Sequence, residues 1–420
     1  MKTNKSRRSP LRLVAGLAAL AVCVGLQAAA PVITNIVMVP RLTIQSDLGS
    51  TNQIQYSTDL GQTNWTVLTN LVVTASPYSF VDVTAPPASF RFYRVIDLNP
   101  APTNMVFIPA GSFVMGDTLN DHPGSNELPT HTVQVSAFYM DKYEVTKALW
   151  DEVYNWAITH GYSFEFGALG KTNNHPAHSM TWYDAVKWCN ARSEKEGRTP
   201  AYFTSAAQTT VYRSAQVDVD NSWVKWNRGY RLPTEAEWEK AARGGASGHR
   251  FPLGDTIFHA QANYNGYPAS SGGYAYDLAP LGYHPAYNDG VSPYTSPAGS
   301  FAANGYGLCD MAGNVFEWCW DWYGSYSSAS QTDPRGPTSG GSVRVFRGGS
   351  WDGDAFGCRT AYRYNYYPAY GNNSSGFRSV LPSNQCASGG GQRSEGRLKS
   401  PARVQASLRD ARSWRVSTVG

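Results

Sequence analysis

Residues 347–378 read RGGSWDGDAFGCRTAYRYNYYPAYGNNSSGFR. Seven Trp, Tyr or Phe residues lie from Trp351 to Tyr370, Cys358 stands among them, and Gly, Asn, Asp or Ser fills almost every gap. The aromatic spacing follows neither the two-residue period of a strand nor the helical period of about 3.6. The segment therefore predicts irregular chain, with about half of its rings buried and half displayed. Trp351, Phe356, Tyr362, Tyr364, Tyr366, Tyr367 and Tyr370 are the candidate contact residues. Tyr and Trp offer large amphipathic area at little cost in rotamer entropy, and the small polar residues between them offer adaptable hydrogen bonds. Arg359 and Arg363 can stack on such rings. Cys358 has three readings: a redox thiol, half of a disulfide, or a small buried hydrophobe.

Working outward, residues 105–382 are rich in Gly, Trp and Tyr, and three segments carry helix signals. Leu149, Val153 and Trp156 recur on one face of the chain after Thr146. The hydroxyl of Thr181 can cap TWYDAVKWCNAR while Asp184 reaches back. In RLPTEAEWEKAARGG, Thr234 caps, Glu237 completes the box and Gly244 ends the helix. Between these the chain is irregular, above all over 245–300, and loops that long in a compact domain need help from metal, disulfide or function. An α+β class with much irregular structure is expected.

Residues 31–98 are different in texture. Short β-rich runs such as RLTIQS, NQIQYST and RFYRVID alternate with turn residues at regular intervals, the pattern of a small antiparallel β-sandwich. No cluster of titratable groups stands out there, so this is an accessory module, and NPAPTN over 99–104 is the linker. Residues 1–30 combine a basic start, the apolar run LVAGLAALAVCVGL and a small-residue exit at Ala28 to Ala30, which predicts a secretory signal peptide and an exported protein. That run is about 14 residues long, short of the ~20 a spanning helix needs, and no other stretch is apolar enough to span. Leu-Ala-Val before Cys23 is a poor lipoprotein cleavage box. The polar, aperiodic, basic tail over 383–420 reads as disordered.

The formal net charge of +4 misleads, because residues 1–30 and 387–420 each contribute +5 and the rest carries −6. An acidic body argues against nucleic acid as the natural partner. Besides Cys23, five cysteines remain: Cys189, Cys309, Cys319, Cys358 and Cys386. An odd count in an oxidising compartment leaves at least one thiol free or intermolecular, and Cys309 and Cys319, ten apart, could close a short loop. No CxxC pair, HxH or HExxH arrangement supports zinc, and no nucleotide-binding or serine-hydrolase motif has the right context.

Seven segments together resemble the formylglycine-generating enzymes, or sulfatase-modifying factors: FIPAGSFVMGD (107–117), ELPTHTV (127–133), MDKYEVTKALW (140–150), HPAHSMTWYDAVKWC (175–189), YRLPTEAEWEKAARGG (230–245), NGYGLCDMAGNVFEW (304–318) and RGGSW…GFR. The resemblance covers residues 105–381 in order. It implies a fold related to C-type lectins, and an activity that oxidises a sulfatase cysteine to formylglycine with dioxygen and a copper ion held by two thiolates. It also implies calcium around GLCDMAGNVFE, with Asp310, the carbonyls of Gly313 and Val315, and Glu317 as ligands. Two carboxylates seven residues apart around a Gly-Asn turn suit an ion that wants several oxygens. A second calcium would fall on Asn263, Tyr264, Asp289 and Val291.

At the redox position this chain departs from the family. The family spacing laid on GGSWDGDAFGC puts its second copper cysteine on Cys358 and its first on Gly353, while Ser350 and Arg378 match. Gly357 and Phe316 also replace aromatics that the enzymes commonly carry. A single thiolate serves copper(I) poorly. Two functions follow: an oxidase using Cys358 and Ser350 on a sulfatase polypeptide, or a calcium-stabilised module that binds a protein or polysaccharide through the 351–370 aromatics. The missing thiolate favours the second. The segment also resembles the variable regions of retroelement-diversified proteins on this fold.

Overall fold

The computed structural model describes residues 40–44, 51–59, 65–72, 78–85, 91–97, 102–122, 125–338 and 341–383. The expected signal peptide, the basic tail, part of the linker, Cys23 and Cys386 lie outside these residues. In the N-terminal segment, β1 (Arg41–Ile44) pairs antiparallel with β4 (Tyr78–Val81), and β2 (Thr51–Ser57) lies between β3 (Thr66–Val72) and β5 (Phe92–Asp97), antiparallel to both. Leu42, Ile44, Ile54 and Val95 alternate inward and form one small apolar core.

The larger part holds three helices and several short sheets. β7 (Gly111–Met115), β8 (His131–Val135) and β11 (Gln331–Thr332) form one sheet, and β6 (Met105–Ile108), β9 (Phe138–Asp141) and β15 (Val380–Pro382) form another. The third, ordered β13 (Tyr364–Tyr366), β12 (Arg344–Arg347), β10 (Phe316–Trp322), β14 (Ser375–Gly376), is built from the segments named above. Its central strand β10, FEWCWDW, is buried along nearly its whole length. Trp318 and Trp320 join the core around α1 (Lys147–Ala157) and α2 (Trp182–Lys195), and Cys319 joins the core around α3 (Glu235–Ala242). Alternation along the strand thus ties two cores together.

The helix starts follow the predicted caps. Thr181 with Asp184, and Thr234 with Glu237, form complete capping boxes, and Thr146 caps α1. The buried face of α1 is one residue off the expected stripe: Trp150, Val153 and Ala157 point inward, and Leu149 and Trp156 are only partly covered. Trp150 stacks on Trp188 of α2 at 5.9 Å between centroids, and that contact sets the rotation of the helix.

All eight residues of α3 are buried, its three glutamates included. Each glutamate meets a guanidinium: Glu235 pairs with Arg363 (2.6 and 2.7 Å), Glu237 with Arg231 (2.6 and 2.7 Å), and Glu239 with Arg347 and Arg243. Arg347 and Arg363 belong to the 347–378 segment, as do Arg359, which pairs with Glu127 (2.8 and 2.6 Å), and Arg378. Apart from the short strands β13 and β14, the segment is therefore irregular, and it is anchored at four buried arginines. Gly349 has φ +79°, and a Cβ there would lie 2.9 Å from the Cys358 sulfur, whereas at Gly353 the nearest atom to an added Cβ is 3.4 Å away. Gly349→Ala should lower stability by about 2 kcal/mol or more, and Gly353→Ala by less than about 1 kcal/mol, in chemical denaturation.

Candidate functional site

The Gly-Leu-Cys-Asp-Met-Ala-Gly-Asn turn before β10 carries two non-glycine residues in the left-handed region, Asp310 (φ 55°) and Asn314 (φ 64°). Gly313 between them has φ +75°, and a Cβ there would lie 2.2 Å from the Asn263 carbonyl oxygen. Such strain persists only where the surroundings over-determine it. Here the Asn314 side chain donates to Glu144 Oε2 (2.7 Å) and accepts from the Ser296 N–H (2.9 Å), and the Val315 N–H donates to Glu144 Oε1 (3.1 Å).

Glu144, Asp310 and Glu317 are all buried. Among them only Glu317 has a full cationic partner: Arg378 donates from Nε and Nη2 at 2.7 Å each, and Trp238 Nε1 donates at 2.7 Å. The remaining guanidinium N–H groups donate to the carbonyls of Asp141, Lys142, Cys309 and Asp310. Glu317, an expected calcium ligand, thus already accepts three N–H bonds on its two oxygens. Asp310 Oδ2 accepts from the Gly299 N–H, but Oδ1 is buried without a partner, as is Ser296 Oγ. Three buried carboxylates against one guanidinium leave this cluster two positive charges short. Burial, then the charges of Asp310 and Glu317, push the Glu144 carboxyl well above its usual range, and burial lifts Asp310 to about 6. Uncompensated buried charge is costly, and a divalent cation would remove the deficit. Asp310 Oδ1, Glu144 and the carbonyls of Gly313 and Val315 are the groups that can hold one. No local pattern marks Glu144, which lies within the MDKYEVTKALW segment.

The second expected calcium position does not fit. Asp289 is ion-paired to Lys171 through both oxygens at 2.7 Å, the Val291 carbonyl accepts from the same ammonium at 3.1 Å, and the Tyr264 carbonyl faces His259 Nε2 at 3.1 Å. Asn263 Oδ1 is buried without a hydrogen-bond partner.

At the redox position, Cys358 is completely buried among Phe251, Ile257, Ala262, Tyr264 and Ala355. Burial pushes its thiol up, away from the thiolate form that reacts or binds copper. Ser350 is buried and donates to Asp352 Oδ1 at 2.6 Å. Cys189, Cys309, Cys319 and Cys358 are all free, so the Cys309–Cys319 bridge and a bridge from Cys358 to either are not formed. Of the readings open for Cys358, the small buried hydrophobe describes its surroundings.

Residues 95–382 match the family described as "Sulfatase-modifying factor enzyme 1-like domain". The chain belongs to this family. It is 35% identical over 278 residues to the formylglycine-generating enzyme of Mus musculus, covering 63% of this chain and 69% of that protein. It is 34% identical over 295 residues to that of Thermomonospora curvata, covering 62% and 85%. It is also 31% identical over 305 residues to the serine/threonine-protein kinase pkn1 of Chlamydia caviae, of which it covers only 39%. Among solved structures, Treponema denticola variable protein 1 matches with a TM-score of 0.50 at 27% identity, over 70% of this chain and 97% of that one. The helix-poor architecture above is the C-type-lectin-like fold of the sulfatase-modifying factors.

The aromatic loop of this sulfatase-modifying-factor domain divides as its lack of period foretold, though residue by residue only the fold decides. Trp351 is buried against Tyr283 and Tyr294, with Nε1 donating to the Asn373 carbonyl, so it is withdrawn from the contact set. Tyr366 stacks on Phe346 at 5.6 Å, and Phe356 lies under the Arg359 guanidinium at 4.0 Å; both are half-buried. Tyr362 is half-buried beside Tyr364. The displayed rings are Tyr364, Tyr367 and Tyr370, at 42%, 55% and 61% exposure, with Tyr367 and Tyr370 edge to face at 6.1 Å.

Arg378→Ala should cost about 3–5 kcal/mol by stranding Glu317 in the interior, measurable by denaturant unfolding. In calcium-free protein, Asp310 holds a proton in the folded state between about pH 4 and 6 that the unfolded chain has lost. Stability should therefore fall as pH rises through that window, by on the order of 3 kcal/mol, and saturating calcium should flatten the fall.

Proposed function

We propose that this is an exported recognition module on the sulfatase-modifying-factor scaffold, stabilised by one calcium ion and not acting as an oxidase. The observation that carries the reading is Gly353, standing where the resemblance puts the first copper thiolate, with Cys358 sealed in an apolar cluster. Copper(I) held by two thiolates supplies the dioxygen chemistry of the enzymes, and the described residues offer one buried thiol there. Arg347, Arg359, Arg363 and Arg378 hold the loop rigid from beneath, so that Tyr364, Tyr367 and Tyr370 meet a partner without a large ordering cost. Calcium at Asp310 and Glu144 would fix the turn that feeds β10, the strand beside β12 and, through it, β13. The partner is a protein or a polysaccharide. Export rests on the pattern of residues 1–30, and among the described residues no helix is long and apolar enough to cross a membrane. The identity to the mouse enzyme keeps the oxidase as the competing reading.

Purified protein incubated aerobically with copper(I) and a Cys-x-Pro-x-Arg peptide should yield no aldehyde by mass spectrometry. Turnover that disappears in Cys358→Ala would sink the reading. Since the space beside Gly353 admits a Cβ, Gly353→Cys should fold and bind copper(I) more tightly than the wild type in a competition titration. On glycan and protein arrays, Tyr367→Ser/Tyr370→Ser should lose whatever signal the wild type gives while its melting temperature stays within a few degrees. Unchanged signals would move the contact face elsewhere.

A further inference from the structure

The loop between α1 and α2 is strapped to the loop over 289–298 at three points. Lys171 Nζ bonds both oxygens of Asp289 at 2.7 Å and the Val291 carbonyl at 3.1 Å. His175 Nδ1 meets Thr295 Oγ1 at 2.9 Å, and the Ala298 N–H donates to the Asn174 carbonyl at 2.8 Å. The Lys171 side chain is 19% exposed, and its ammonium stands 5.8 Å from the centre of the Tyr294 ring, whose residue also supplies the carbonyl that holds Asn263 Nδ2 at 2.8 Å. Asp289 and Val291 are two of the four groups that the family resemblance assigns to a second calcium, and the carbonyl of a third, Tyr264, faces His259 Nε2.

We infer that the Lys171 ammonium is a built-in replacement for a divalent ion at this position, so that the loop over 289–298 is held by the chain itself and takes up no calcium. Calcium needs about six to eight oxygens. With Asp289, Val291 and Tyr264 engaged, Asn263 Oδ1 is the one member of the expected set left open, and a single amide oxygen cannot hold the ion. A tethered ammonium contributes one positive charge and three directed N–H donors, and here it offers them to a carboxylate and a carbonyl. No chelator removes it. The Asp289–Val291 end of the loop is then held without calcium, while Ser296 stays bonded to Asn314 of the Asp310 turn. The inference concerns a position separate from the calcium at Asp310 and stands or falls apart from it.

The test is calcium content, measured by elemental mass spectrometry on the full chain after dialysis against buffered calcium. Asp310→Ala removes the first position and should leave no bound calcium. Asp310→Ala/Lys171→Ala should regain one equivalent, lost again when Asp289→Asn is added, whereas Asp310→Ala/Lys171→Arg should stay empty. An equivalent kept by Asp310→Ala and removed by Asp289→Asn overturns the inference, and so does an empty Asp310→Ala/Lys171→Ala variant. If the variants misfold, hydrogen exchange of the wild type decides. Residues 289–292, which lie clear of the Ser296 N–H bond to Asn314 of the first turn, should exchange equally with calcium and with EDTA, and a tenfold acceleration in EDTA would refute the replacement. A wild type without calcium defeats the calcium proposed at Asp310 but leaves the Lys171 comparison readable.

Discussion

The structure depends on the buried pair between Glu317 and Arg378. Glu317 lies on the central strand β10 and Arg378 sixty-one residues later, and the two meet through two charge-assisted bonds with a third from Trp238 on α3. A guanidinium taken out of water needs most of its donors satisfied. Arg378 meets this requirement by reaching four backbone carbonyls drawn from two segments far apart in the sequence, 141–142 and 309–310. One side chain thereby locks the end of β9, the turn before β10 and the close of the aromatic loop. Any rearrangement of the loop must break that set together.

The same device recurs at Glu235, Glu237, Glu239 and Glu127, each facing an arginine. A domain with little regular structure cannot rely on long backbone ladders, and directional ion pairs in a dry interior supply the missing specificity. The turn before β10 departs from this pattern. The Asp310–Glu144 cluster is short of positive charge, while Asp289 is neutralised by Lys171. The two sites differ in setting as well as in charge: Asp310 and Glu144 are buried, whereas the Asp289 side chain is half exposed and its pair with Lys171 is partly screened by solvent.

The helix starts were legible in the sequence, because Thr146, Thr181 and Thr234 cap locally and the reciprocal bonds of a capping box span only three residues. The order of the family segments was legible as well, and so was the irregularity of 347–378. The rotation of α1 was not, since Trp150 is turned inward by Trp188 of another helix. Nor was the role of Glu317, whose carboxylate resembles a calcium ligand in the linear pattern but is claimed by a guanidinium sixty-one residues away. Trp351 and Tyr370 look equivalent in the string, yet one is sealed behind Tyr283 and Tyr294 and the other stands in solvent.

By itself the sequence determined what depends on identity and on neighbours within a turn or two: the caps, the glycines that permit positive φ, and the absence of a thiol at Gly353. That absence needs no coordinates, because a missing sulfur cannot be restored by folding. Only the tertiary structure decided which charges meet, which rings are displayed and which loop keeps a vacancy of charge. Those outcomes depend on distances between segments tens to hundreds of residues apart, and burial sets their weight: an ion pair or an orphaned carboxylate counts for little in water and for several kcal/mol in the interior.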